Sequence, residues 1–242
     1  MTRSRQILLA VLAVVAIAVG GFIAYDQVLR GDDVAALTLP TSTPSAAPSD
    51  PLTSGDPGNS TSVARTWNVA SGSQAGYRVR ERLASLPAES DAIGRTSDVT
   101  GSITVEANGD GARLTGGTLS VNTQTIASDK QMRDNRLRNE GLQTDQYPTA
   151  TFTVTQPVEI PAAALSGTAT DVTLTGDLTL HGVTKSVQIP AQARLVGDQI
   201  QVAGSLGFPL SDFDISPPNV GGFILSISDQ GTLEFLVVFA KG

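Results

Sequence analysis

No cysteine occurs in the 242 residues. Disulfides, thiolate metal sites, thiol nucleophiles and a lipid-modified N-terminal cysteine are therefore excluded. Histidine is almost as scarce, with His181 the single instance. A histidine-built metal centre needs several ligands, and a Ser-His-Asp site needs its histidine set against a nucleophile and an orienting acid. No nucleophile elbow or Gly-rich phosphate loop accompanies His181. Asp212 and Asp214, two residues apart in a loop stretch, fit turn chemistry better than acid–base work. The chain is read as a non-enzyme, with neither metal nor cofactor expected. Positive charge is also thin. From Arg65 onward there are 13 basic and 18 acidic residues, a net of −5, and the whole chain carries −7. A nucleic-acid footprint, which needs a clustered basic face, is excluded.

What the chain does have begins with an unbroken apolar run at 7–25, preceded by Arg3 and Arg5 and followed by Asp26, Asp32 and Asp33. Nineteen helical residues span roughly 28 Å, close to the ~30 Å of a bilayer core. A secretory apolar region is usually ~7–15 residues, so this one reads as an uncleaved signal anchor. The charge asymmetry puts the N-terminus in the cytoplasm and the rest outside. Residues 1–30 are thus expected to be a single-pass anchor in the cell membrane. Cleavage near Ala16-Ile17-Ala18, giving a secreted domain, is the alternative.

Residues 31–64 carry Pro40, Pro44, Pro48, Pro51 and Pro57 among Ser, Thr, Ala, Gly and Asp. Too little apolar area is present to offset the entropy of ordering, so a disordered tether is expected. As a flexible coil it reaches about 30–35 Å. The remaining 65–242 is large enough to close one core, and its wealth of Thr, Val and Gly favours strands.

Alternation supports that reading. Val172, Leu174, Leu178 and Leu180 alternate with Thr173, Thr175, Asp177 and Thr179, and Val187, Ile189 and Ala191 resume the pattern after a His-Gly-Val-Thr-Lys link. That is a β-hairpin. Similar runs fall at 99–106, 113–123, 149–156, 199–208, 223–228 and 233–239, with turn signals at Asn108-Gly109-Asp110-Gly111, Gly197-Asp198 and Asp229-Gln230-Gly231. Residues 83–98, with Pro87 and Gly94, read as a long connection, a lid or a short helix. Residues 128–140 form the one credible helix, with Ser128 and Gln131 as a capping box. About eight to ten strands joined by hairpins suggest a closed barrel, because closure removes exposed edges.

Several of these segments resemble the YceI family of bacterial envelope proteins. The run from Gly176 through His181-Gly182-Val183-Thr184-Lys185 to Val187 is similar to that family's most recognisable segment. Trp67-Asn68-Val69 with Ser73, Ala75, Tyr77 and Val79 resembles its first strand pair. Arg133-Asp134, Leu137-Arg138, Tyr147-Pro148 and Phe152 resemble its second block. Gly72 and Glu81 stand where relatives often carry histidines, Arg136 replaces a common histidine, and Gly141-Leu142 replaces paired aromatics.

The resemblance implies an all-β, lipocalin-like antiparallel barrel of about eight strands, enclosing a polyisoprenoid or similar long-chain lipid. It implies extracytoplasmic binding and carriage of that amphiphile. Candidate lining residues are Tyr77, Val79, Ile103, Val105, Leu119, Val121, Phe152, Leu178, Leu180, Ile189, Phe208, Phe223, Leu225, Phe235 and Val237, and each is packed core on the competing reading. That competing reading is an envelope interaction or stress-related module whose barrel is filled by its own side chains. Head-group candidates are Glu81 and His181. Glu81 falls on the apolar face of its strand, where it needs an arginine partner unless the strand end emerges into solvent. His181 reads chiefly as a residue that holds its turn. Arg133, Arg136 and Arg138 either pair with strand carboxylates on a solvated helix face or bind a phosphate or carboxylate. The expected partners are the membrane, through the N-terminal helix, and a hydrophobic small molecule; no protein partner is indicated.

Overall fold

The computed structural model describes residues 34–40, 63–84, 89–217 and 224–242. The apolar segment at 7–25 and most of the linker expected at 31–64 lie outside them. No helix among the described residues is long and apolar enough to cross a membrane.

Period-two patterning builds the structure. In β8 (Thr170–Leu180), Leu174, Gly176, Leu178 and Leu180 are buried while the residues between them stay partly or fully exposed. The remaining strands are β1 (Arg65–Val69), β2 (Gln74–Leu83), β3 (Glu89–Thr96), β4 (Val99–Asn108), β5 (Gly111–Asn122), β6 (Thr149–Val154), β7 (Val158–Ile160), β9 (Val183–Val196), β10 (Gln199–Pro209) and β11 (Ile224–Lys241). Eight of them close a ring in the order β1-β4-β5-β6-β8-β9-β10-β11, and β11 returns to β1 by pairing Trp67 with Lys241 and Val69 with Phe239. Each pairing is antiparallel. The fold is the closed all-β barrel that the patterning predicts.

Three strands sit outside that ring: β7 pairs with β5, and β2 and β3 shape one end of the barrel. β2 pairs with the earlier part of β11, where Tyr77 faces Leu233, and β3 pairs with β2. Arg95 of β3 then bridges to Ala127, just before helix α1 (Gln131–Arg136). This helix runs on through a wider turn at Leu137–Gly141. A single helical turn, α2 (Ala162–Leu165), lies at the other end, where it packs on β5 and β9.

Four local expectations are corrected. The described part of 83–98 is no helix but includes β3, whose buried positions are Ala92, Gly94 and Thr96; side chains this small carry almost no hydrophobic signal. Asp229-Gln230-Gly231 does not reverse the chain. It lies within β11, where the four steps from Ile227 to Gly231 answer the two from Glu81 to Val79, a bulge that bends the strand. The hairpin link contains His181 and Gly182 alone, at φ 52° and 77°, the doubly left-handed turn that suits the strand twist. Finally, the Ser128–Gln131 capping box does not form. Ser128 donates its N–H (2.9 Å) and hydroxyl (2.6 Å) to the buried Asp134 carboxylate instead. A charged acceptor makes the stronger bond.

Residues 34–40, inside the stretch expected to be a disordered linker, lie across the outer wall. Arg78 donates to the Val34 carbonyl (2.8 Å), Arg95 to that of Ala35, and Arg194 to that of Pro40 (2.6 Å). Leu39 is buried against the barrel.

Candidate ligand-binding site

The two ends of the barrel differ in how they are filled. At the α2 end Trp67, Val105 and Phe239 are each at most 2% exposed, and Trp67 donates its indole N–H to the Val63 carbonyl at 3.0 Å. Only about 40 Å³ of space remains there, between β4, β5, β8, β9, β10 and α2. At the α1 end the inward side chains enclose a cavity of about 200 Å³. That exceeds the ~150 Å³ of an apolar cavity known to stay dry and accept a small aromatic guest. This part of the barrel is hollow.

Eleven of the expected lining residues meet around the larger cavity: Tyr77, Val79, Leu119, Val121, Phe152, Leu178, Leu180, Ile189, Phe208, Phe235 and Val237. Ile103 and Val105 do not; they border the small packed space at the α2 end instead. Phe223 and the Leu225 side chain lie outside the described residues. Further lining comes from Ala75, Ala92, Ile126, Leu137, Leu142, Leu174, Leu206, Leu210, Ile215 and Leu233. Half of these are in strands, and Ala75, Leu174, Leu206 and Leu233 were available to the pattern, whereas Ala92 lies on the unread β3. Leu137 and Leu142 come from the helix, and Leu210 and Ile215 from the loop that follows β10, where strand alternation says nothing.

Charged groups at this cavity are few. Glu81 lines the cavity and is 2% exposed, so its strand does not emerge into solvent there. Arg133 reaches it from α1 at 2.5 Å and also binds Asp129. Burial opposes the charge on Arg133, but its bonds to the two carboxylates outweigh that and hold its pKa above the ordinary value. Tyr77, whose ring borders the same space, has its phenol pushed up to about 12, first by burial and against the pull of Arg133. The rise at Tyr77, led by burial, marks a region poor in water.

His181 is not among the cavity-lining residues, which corrects its place as a head-group candidate. Its Nδ1 donates to the Phe213 carbonyl at 3.1 Å, and its ring stands edge-on to Tyr147 with centroids 4.6 Å apart. Through Phe213 it pins the short helical turn Leu210–Phe213 to the β8–β9 hairpin. Leu210 is part of the cavity wall, so His181 positions that wall without touching the space inside. Among the described residues, no cluster of three or more His, Cys, Asp or Glu side chains is arranged to hold a metal ion.

Comparison with known proteins matches this architecture. The model of the YceI-like domain covers residues 67–239. Protein YceI of Escherichia coli O17:K52:H18 is 35% identical over 104 residues, 40% of this chain and 50% of that protein. A UPF0312 protein of Pseudomonas aeruginosa strain LESB58 is 34% identical over 129 residues, 50% of this chain and 62% of its own length. The chain thus spans about half the length of the curated relatives it matches. Among solved structures, a polyisoprenoid binding domain from Saccharophagus degradans superposes with a TM-score of 0.54 at 19% identity, over 74% of this chain and 99% of that one. Burkholderia cenocepacia BcnA gives 0.53 at 17% identity, over 70% and 98%. At these identities the structural likeness speaks for the fold alone.

Proposed function

We propose, from the premise that this chain belongs to the YceI-like domain family, that its barrel binds and carries an amphiphilic lipid, a polyisoprenoid, outside the cytoplasm. The hollow, almost wholly apolar α1 end carries this reading. A solved structure of the same fold is described as a polyisoprenoid binding domain, and a side-chain-filled barrel would have no such space. The apolar run at 7–25 supports attachment to a membrane, which would set the barrel beside its lipid source. The role is carriage without chemistry.

The driving force is desolvation. Burying a chain yields about 0.8 kcal/mol per methylene, whereas immobilising a ligand costs at least about 4 kcal/mol. Short chains are therefore held marginally, and a long prenyl or acyl chain is favoured. The cavity takes one portion of such a chain while Glu81, Arg133 and Arg136 stand at the edge where its polar end would sit.

Native mass spectrometry of the full chain, isolated from membranes and released from a neutral detergent, tests this. The expected spectrum shows protein carrying an added isoprenoid mass. A clean apoprotein that also refuses an added long-chain prenol would overturn the reading.

A further inference from the structure

Four charged side chains border the cavity: Glu81, Arg133, Arg136 and Glu234. Three are already committed. Glu81 and Arg133 neutralise each other. Glu234 points its carboxylate outward to Arg95 (2.7 Å) and Arg78 (3.6 Å). Arg136 has neither a hydrogen-bonded nor an ionic partner among the described residues. Its neighbour Arg138 differs, since it donates to Asn135 (3.1 Å) and to the carbonyl of Ile126 (3.4 Å).

A second orphan lies one turn away. Arg133 spends Nη2 on Glu81 and Nη1 on Ser128 and Asp129, but its Nε–H is buried with no acceptor. A buried donor left unpaired is costly and rare in folded proteins. Positions 133 and 136 are i,i+3 neighbours on one helix and share a face. The cavity edge thus offers an unpaired guanidinium and an unsatisfied N–H side by side, and no free carboxylate.

We propose that the carried amphiphile ends in an anion, a phosphate or a carboxylate, held at the α1 edge by Arg136 and the Nε–H of Arg133. This rests on the carriage reading above and adds a head-group class to it. A neutral head offers the part-exposed Arg136 no counter-charge, whereas an anion satisfies both donors with charge-assisted bonds.

Three ligands with one tail separate the possibilities: farnesol, farnesoic acid and farnesyl phosphate, titrated calorimetrically into the full chain and into Arg136→Gln and Arg136→Lys. The intact protein is expected to bind both acids about tenfold or more tightly than the alcohol. In Arg136→Gln that ratio falls towards one, and Arg136→Lys restores part of it. A preference for only one acid identifies which anion is carried. Equal affinity for all three, or a ratio that survives Arg136→Gln, overturns the anionic assignment while leaving carriage standing. If none of the three binds, the anionic assignment falls, while carriage stands or falls on the long-chain prenol above.

Discussion

At the scale of single residues, Glu81 and Arg133 set the terms for the hollow end. Each sits where its charge is tolerable only because the other is there, with side-chain exposures of 2% and 13%. Deleting one member of such a pair strands the other and costs about 3–5 kcal/mol, whereas replacing both with apolar groups of similar size is close to neutral. Glu81→Leu and Arg133→Met are therefore each expected to lose about 3 kcal/mol in urea unfolding, and the double variant far less. Additive losses would show that the pair is screened by solvent. Sequence placed Glu81 on an inward face but not its partner, because Arg133 is 52 residues away on a different element. His181 shows the reverse limit. Its place at a turn was legible, while the Phe213 carbonyl it binds was not.

Among the elements, the segment at 34–40 shows how far composition can mislead. Averaged over 31–64, proline, serine and threonine mark a free tether and hide the apolar Val34, Leu37 and Leu39; three arginines on separate strands bind carbonyls of 34–40, and Leu39 is 8% exposed. Composition reports the apolar area a segment carries; it is silent on donors waiting elsewhere on the fold. Leu39→Ala is expected to lower stability by about 1–3 kcal/mol, in line with burying one aliphatic side chain. An unchanged urea midpoint would show that Leu39 contributes nothing. Strands were readable wherever branched residues alternate, as in β8, and hairpins wherever glycine meets the demand for a left-handed turn. β3 was hidden because Ala92, Gly94 and Thr96 pack inward without a hydrophobic signal. The bulge in β11 was misread because Asp229-Gln230-Gly231 has the composition of a turn.

For the whole molecule, the main consequence is that one strand pattern serves two different interiors. Ile103 and Val105 alternate just as Leu178 and Leu180 do, yet the first pair closes the packed end and the second borders the hollow one. What separates them is what comes between the walls: Trp67, Val63 and Leu165 fill the α2 end, whereas the described residues at the α1 end leave a cavity of about 200 Å³. Such asymmetry belongs to the three-dimensional assembly, so periodicity had no access to it. It also divides the molecule in stability. Tight packing makes amides of β1, β4 and the last part of β11 exchange only by global unfolding, while β2, β3 and α1, arranged around empty space, open locally at lower cost. Hydrogen exchange is expected to show this gradient in the empty protein. A bound lipid should then slow exchange about a hundredfold around the cavity when present at a hundred times its Kd, equivalent to about 2.7 kcal/mol. The packed end should respond less, until opening at the α1 end becomes as costly as unfolding the whole barrel. Uniform slowing along every strand at low occupancy would mean that the hollow end does not open separately, and that a chain enters only when the entire ring gives way.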